Sequence, residues 1–137
     1  MIRKYQKGDA LKVCAQDEQK AEASAYAAFF DDINAYSQVN KKGEITAVCG
    51  FGVEENGMAV CYALLGKNCG KNMIELVRFW QKEIPKMIKI YQFNRVVMTV
   101  RVGFTEGERL AKLLGFYATE VLQKFYLGND YQLYERK

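Results

Sequence analysis

The sequence predicts a mixed α/β fold with a meander of strands in its middle and a strand hairpin at its end. Apolar runs of strand length recur along the chain, at 44–53, 58–65 and 95–102. The segment 73–91 instead repeats its apolar residues at helical spacing. Turn residues such as Asn56-Gly57 separate these runs. The predicted order is strand, two helices, three strands, helix, strand, helix and two strands.

The first part of the chain is expected to contain a short strand at 2–7 and two short helices. Gly8-Asp9 offers a turn and an N-cap for a helix from Ala10. The Ala-rich segment 17–32 favours a second helix, with a break near 14–17. A strand at 33–39 and a turn at 40–43 follow.

The meander continues with strands at 44–53 and 58–65. Gly50 and Gly52 in the former suggest a bulge or a close backbone approach. The run 58–65 is nearly all apolar, which predicts a central strand covered on both faces.

The last part begins with the long helix 73–91, which Pro85 is expected to kink or divide because proline removes a backbone donor. After the strand at 95–102, a helix from 105 to 114 ends at Gly115, which suits a left-handed C-cap. Strands at 116–127 and 131–136 close the order.

Composition narrows the function classes. The 137 residues suit one domain, 1–137, and no apolar run approaches the ~20 residues of a membrane span. With no secretory signal at its start, we expect a cytoplasmic protein without a membrane partner. Four scattered cysteines and no histidine predict reduced thiols and no metal site. The missing histidine also excludes Ser-His-Asp and Cys-His catalysis.

The net charge of +4 fits an anionic ligand, but is low for a nucleic-acid binder. Basic residues do recur at helical spacing in the segment 73–91. They are Arg78, Lys82, Lys86 and Lys89. A solvated helix face explains them, and a nucleotide or nucleic-acid site is the alternative, which would make binding depend steeply on salt.

The stretch "ALLGKNCGKNMIELVRF", residues 63–79, has the layout of a phosphate-binding site. An apolar strand leads into a turn with two glycines and two lysines, and apolar residues then resume at helical spacing. The N-terminus of a helix favours anions because its first N–H groups lack acceptors. A plain connection between two elements is the alternative.

The element order resembles the GNAT (Gcn5-related N-acetyltransferase) fold over essentially the whole chain. The opening "MIRKYQKGDA" and the segment "LAKLLGFYAT", residues 110–119, look like two of its sequence features. Its central motif, Gln/Arg-x-x-Gly-x-Gly/Ala, corresponds to 67–72, with Lys67 first, Gly70 matching and Asn72 in place of the last small residue. The resemblance implies a mixed, mostly antiparallel sheet with helices on both faces.

A narrower resemblance points to the GNAT-like internal virion protein A family of podophages. It rests on "VRVGFTEGERLAKLLGF", residues 100–116, and the ending "YQLYER". It would place the protein in a host cytoplasm or a virion.

The GNAT resemblance implies that acetyl-CoA is the co-substrate and that an amine, on a small molecule or a protein, attacks its thioester directly. The backbones of Ala63 and Leu65 would face the pantetheine arm. The pyrophosphate would lie on the following turn. Its residues are Lys67, Asn68, Cys69, Gly70, Lys71 and Asn72.

The positions that carry acid–base groups in many GNAT enzymes differ here. The strand 58–65 has no carboxylate, Ala111 stands where a tyrosine acid is common, and Phe104 replaces a frequent asparagine. The substitute candidates are Tyr62, Tyr126 and Glu120.

Several functions therefore stay open at the sequence level. An N-acetyltransferase is the first, and a catalytically degenerate GNAT-fold protein acting in interaction or virion assembly is the second. A ferredoxin-like domain is a weaker alternative to the fold. An open sheet edge could also pair with a second copy of the chain, giving a homodimer.

Overall fold

The computed structural model describes residues 1–136, with the side chain of Ser24 left out. Lys137, the last residue of the predicted domain, lies outside the described residues. Seven strands and three α-helices occur in the described part, and the mixed α/β class is confirmed. The strands are β1 (Ile2–Lys4), β2 (Asn34–Val39), β3 (Ile45–Val53), β4 (Met58–Leu65), β5 (Arg95–Arg101), β6 (Phe116–Tyr126) and β7 (Asn129–Arg136). The helices are α1 (Lys20–Phe30), α2 (Met73–Tyr91) and α3 (Thr105–Leu113).

The strands form one mixed sheet in the order β1-β2-β3-β4-β5-β7-β6. The pairs β1–β2, β2–β3, β5–β7 and β6–β7 are antiparallel. β4 and β5 are parallel, pairing Met58–Cys61 with residues 95–98. The predicted mostly antiparallel sheet is confirmed, with β4 at its centre.

By its contacts the chain divides into two compact units, each described by itself. The first contains residues 1–52 and 62–79, and the second contains 53–61 and the chain from 80 onward. No helix in the described residues is long and apolar enough to cross a membrane.

The first unit has an apolar core in which α1 packs on the sheet. Strand β3 is buried from its first residue to Gly52. A Cβ on Gly50 would lie 2.5 Å from the carbonyl oxygen of Asn34, so the predicted close backbone approach is confirmed there. The buried apolar side chains of this core are Ala10, Val13, Ala15, Ala27, Phe30, Ala35, Ile45, Val48 and Leu64.

The start of the chain departs from the prediction. A single 3-10 turn, Asp9–Lys12, replaces the helix expected from Ala10, and a second turn at Asp17–Gln19 leads into α1. The predicted N-cap at Asp9 is wrong, because its buried carboxylate accepts hydrogen bonds from Arg3 (2.7 Å) and Ser37 (2.7 Å) instead. Burial opposes ionisation of Asp9, yet the bonds from Arg3 and Ser37 hold its pKa below the usual value.

Two further expectations are corrected. Helix α2 is continuous through Pro85, so the proline does not divide it, and the kink expected as the alternative stays a prediction. Buried Ile84 and Met87 flank the proline, and this packing outweighs one missing backbone bond. The middle of β4, residues 60–63, is only half-buried, so the predicted coverage of both faces is wrong for that part. An apolar sequence is compatible with burial, but whether a side chain is buried depends on which elements pack against it.

The second unit contains the C-terminal hairpin and α3. Strand β7 pairs with both β5 and β6, and most side chains of the edge strand β6 are exposed. Gly115 ends α3 with a φ of 87°, which confirms the predicted left-handed C-cap.

Candidate cofactor-binding turn

The turn between β4 and α2 is the candidate site. Strand β4 ends at Leu65, a 3-10 turn occupies Gly70–Asn72, and α2 begins at Met73. This is the strand–turn–helix layout that the sequence predicts. All six turn residues proposed for the pyrophosphate, 67–72, lie in the first unit together with Ala63 and Leu65.

Two backbone hydrogen bonds, one to β3 and one within the turn, hold the start of the turn. The Gly66 amide donates to the Thr46 carbonyl oxygen at 2.8 Å, and the Cys69 amide donates to the Gly66 carbonyl at 3.1 Å. A Cβ on Gly66 would lie 2.6 Å from that Thr46 oxygen and 2.7 Å from the Asn68 side-chain oxygen. Only glycine fits at position 66. From the sequence this role is expected of Gly70 instead, because a glycine directly after a strand, such as Gly66, is a common turn residue and attracts no attention.

Other amides of the turn are available to a ligand. Across the described residues, the backbone N–H groups of Asn68, Gly70 and Lys71 donate to no acceptor in the chain. Gly70 has a φ of 33°, and a Cβ there would meet nothing within 4 Å. An exposed turn with three N–H groups that have no acceptor among the described residues, ahead of a long helix, can bind an anion.

Gln38 anchors the turn from the sheet. Its buried amide nitrogen donates to the Asn72 carbonyl oxygen at 2.6 Å and to Glu75 at 3.1 Å. Its amide oxygen accepts from Thr46 at 2.8 Å and from the Cys69 thiol at 3.5 Å. All these groups belong to the first unit, so one β2 side chain fixes the end of the turn and the start of α2. No motif in the sequence indicates this role.

Cys69 is a packing residue of the turn. Its side chain is buried, and burial raises the pKa of the thiol to about 11. The thiol therefore stays protonated at neutral pH and serves as the donor to Gln38.

The charges around the turn are partly neutralised. The Lys67 ammonium lies 3.2 Å from Asp17, which also pairs with Lys20 at 3.0 Å. The hydrogen bonds from Lys20 and Lys67 hold the pKa of Asp17 below its usual value. Lys71 is exposed. A ligand anion would therefore meet a net positive, solvent-screened group of side chains.

Beyond Cys61, the edge of β4 that pairs with β5 has no strand partner in that pairing. Residues of the first unit bind its backbone groups instead. Because the Gly66 amide points to β3, the backbone groups of Ala63 and Leu65 point to the other edge. There the Gln19 side-chain nitrogen donates to the Ala63 oxygen at 2.8 Å, and the Leu65 amide donates to the Gln19 oxygen at 2.9 Å. The Gln16 amide donates to the Leu65 oxygen at 3.3 Å. Sequence reasoning gave no role to Gln19.

The three candidate catalytic residues are divided between the units. Tyr62, on β4, is half-buried and packs edge-on against Phe29 with ring centroids 4.4 Å apart. Tyr126 and Glu120 lie on β6 in the second unit. Tyr126 pairs with Asn129 in the hairpin, and the exposed Glu120 contributes its carbonyl oxygen to a 2.9 Å bond from Gln132.

Two positions at which many GNAT enzymes carry an acid–base or polar side chain are packed core residues here. Ala111 and Phe104 are both buried, and Phe104 packs where a Cβ on Gly107 would lie 2.7 Å from its ring. Neither offers a proton donor. Among the described residues, no group of three or more His, Cys, Asp or Glu could hold a metal ion.

The structure has the fold of the GNAT-family acetyltransferases. Solved structures that it resembles include an acetyltransferase of the GNAT family from Bacillus anthracis, with 13% identity, 98% of this chain and 92% of that chain covered, and a TM-score of 0.70. Another is a ribosomal-protein-S5-alanine acetyltransferase from Vibrio fischeri, with 12% identity, 98% and 91% coverage and a TM-score of 0.71. A third is an IAA acetyltransferase from Bacillus cereus, with 12% identity, 99% and 97% coverage and a TM-score of 0.71.

Sequence comparison adds nothing to this likeness. No protein-family model matches the chain, and no curated protein matches it either. At such low identities the likeness shows the fold alone.

Proposed function

We propose that the protein is an N-acetyltransferase that transfers an acetyl group from acetyl-CoA to an amine. The observation that carries the proposal is the turn 66–72. There the N–H groups of Asn68, Gly70 and Lys71, just before α2, have no acceptor among the described residues and can bind a ligand. The shared fold of several acetyltransferases supports the same reading.

In this proposal the turn binds the pyrophosphate through those amides, with Lys67 and Lys71 adding positive charge. The backbone edge at Ala63 and Leu65 binds the amide-bearing pantetheine arm. Acetyl-CoA supplies an already activated thioester, so orienting the amine beside it can provide much of the rate.

The protein would then need to assist only two proton transfers, one from the amine and one to the leaving thiolate. The amine nitrogen attacks the thioester carbon, the carbon–sulfur bond breaks, the amine loses a proton and the thiolate gains one. Glu120 is the candidate base, and Tyr62 and Tyr126 are the candidate acids. We also propose that the chain acts as one domain, 1–137, in the cytoplasm.

Calorimetry with acetyl-CoA and CoA tests binding. We expect wild-type protein to bind both, and Gly70→Trp to weaken binding at least tenfold by covering the exposed amides, a loss of about 1.4 kcal/mol. Lys41→Ala, in the exposed turn between β2 and β3, is the matched surface control and should bind like wild type. Absence of binding by wild type at millimolar ligand would end the proposal.

A catalytically degenerate GNAT-fold protein is the second candidate. Buried Ala111 and Phe104 favour it, because the fold keeps apolar packing where acid–base side chains are common. Such a protein could act in interaction or in phage virion assembly. Release of free CoA thiol across a broad panel of amines separates the two: release that Gly70→Trp abolishes supports the enzyme, whereas binding of CoA without release on any amine supports the degenerate protein.

A further inference from the structure

A side-chain amide, that of Gln19, is bound to the edge of β4 at Ala63 and Leu65. The Gln19 carboxamide donates to the Ala63 oxygen at 2.8 Å and accepts from the Leu65 amide at 2.9 Å. A neighbouring strand would use the same pair of backbone groups, an oxygen and an N–H two residues apart on one edge. Gln19 therefore satisfies this edge as a strand or an extended amide ligand would.

The occupying side chain is well enclosed. Gln19 is 5% exposed, and it is the last residue of the 3-10 turn Asp17–Gln19 and directly precedes α1. The chain just before it is bound at the end of β4, where the Gln16 amide donates to the Leu65 oxygen, and just past that end, where the Lys67 amide donates to the Cys14 oxygen at 2.7 Å. These neighbours hold the Gln19 backbone beside the edge.

The two kinds of contact differ in how they can be released. The bonds at the Leu65 oxygen and the Lys67 amide join backbone to backbone, so breaking them requires the segment 14–16 to move. The bonds of Gln19 belong to a side chain, which can rotate away while the backbone stays in place. A ligand can therefore gain access to the backbone groups of Ala63 and Leu65 by displacing the Gln19 side chain.

We propose that Gln19 occludes the amide-binding edge of β4, so that a ligand with backbone-like amides must displace this side chain to bind. The inference rests on the proposed function, which places the pantetheine arm of acetyl-CoA at Ala63 and Leu65. Removing the carboxamide then leaves an unsatisfied N–H and oxygen that a ligand amide can pair with at no cost of displacement. Occlusion acts on the pantetheine arm alone, because the bonds of the Gln19 side chain go to Ala63 and Leu65 and not to the turn amides proposed for the phosphates.

The test compares two probes on the same variants by calorimetry. CoA carries the pantetheine arm, and adenosine 3′,5′-bisphosphate carries nucleotide and phosphates without it. We expect Gln19→Ala to tighten CoA binding by about 5-fold to 30-fold, as the exchange of two hydrogen bonds allows, and to leave the bisphosphate within about twofold of wild type. Gln6→Ala, the same change at an exposed glutamine of the same unit, should alter neither.

Amide hydrogen exchange gives a second readout on the same proteins. The Leu65 amide should be protected in wild type, exchange faster in Gln19→Ala and become protected again when CoA is added. Should Gln19→Ala melt too low to titrate, Gln19→Met keeps the length of the side chain and removes both hydrogen bonds, and the same tightening is expected.

The outcomes separate this inference from the function beneath it. If wild type binds CoA and both Gln19 variants bind it equally or more weakly, the occlusion is wrong and the proposed function stands. If wild type binds no CoA but a Gln19 variant does, the occlusion is supported and the proposed function fails for the wild-type protein. If neither wild type nor any variant binds CoA, both proposals fall.

Discussion

Replacing Gln38 with leucine should destabilise the first unit and disorder the candidate turn together. Leucine is close in size but removes the bonds to the Asn72 oxygen (2.6 Å), to Glu75 and to the Thr46 hydroxyl (2.8 Å). The Thr46 hydroxyl can still donate to the backbone oxygen of residue 38 at 3.3 Å, and half-buried Asn72 can recover part of its bonding from water. Only part of the loss is then uncompensated.

The magnitude follows from these partners. An unsatisfied buried polar group costs about 1–3 kcal/mol, so we expect Gln38→Leu to lower the free energy of unfolding by about 2–3 kcal/mol in total. At roughly 4 °C per kcal/mol for a chain of this length, the melting temperature should fall by about 8–12 °C. Urea unfolding followed by circular dichroism measures the free energy, and a thermal scan with the same signal measures the melting temperature.

The matched control is Thr46→Val, which deletes one hydroxyl and leaves both bonds from the Gln38 nitrogen in place. It should cost only about 1 kcal/mol. A loss for Gln38→Leu no larger than that of Thr46→Val would refute the role of Gln38 as the anchor of the turn.

The remaining predictions concern single residues of the same unit. Gly66→Ala should lower the free energy of unfolding more than Gly70→Ala, because an added Cβ meets the Thr46 backbone oxygen at 2.6 Å in the former, whereas at Gly70 it meets nothing within 4 Å and adds only the strain of a φ of 33°, about 1–2 kcal/mol; equal losses in urea unfolding would contradict this. Asp9 has a folded-state pKa below its unfolded value near 3.8, so its stabilisation is present above that pH and is lost as the pH falls through the folded pKa. Asp9→Asn should therefore be less stable at neutral pH and show a flatter acid limb between about pH 5 and 2, whereas parallel curves would exclude this linkage. At pH 8 a thiol reagent should label exposed Cys14 within minutes and spare buried Cys69 until urea is added; fast labelling that survives the double change Cys14→Ser and Cys61→Ser would show that the burial of the remaining thiols is wrong.

The sequence was sufficient to predict elements whose cause is local. Helix α2 follows from the spacing of its apolar residues, the end of α3 from Gly115, and the hairpins from their turn residues. Errors occurred where distant partners decide the outcome. Asp9 looks like a helix cap because the sequence does not show that Arg3 and Ser37 bind its carboxylate.

The candidate site divides in the same way. The turn could be found from its glycines and lysines, since their conformational and charge properties belong to the residues themselves. The roles of Gln38 and Gln19 could not, because a glutamine on a strand or before a helix has no local feature that marks it. Both act on backbone groups more than 30 residues away in the chain, at Asn72, Ala63 and Leu65.

These two glutamines should have opposite effects on ligand binding, although both bind backbone groups in one unit. The bonds of Gln38 hold the turn in place whether or not a ligand is present, so Gln38→Leu should weaken CoA and adenosine 3′,5′-bisphosphate alike. The bonds of Gln19 are those that a ligand must replace, so Gln19→Ala should strengthen CoA alone. A degenerate protein that no longer binds CoA would still need Gln38 for stability, but the loss of Gln19 would give it no affinity for CoA. The two variants, titrated with the same two probes, thus distinguish a working cofactor site from a turn that is merely well packed.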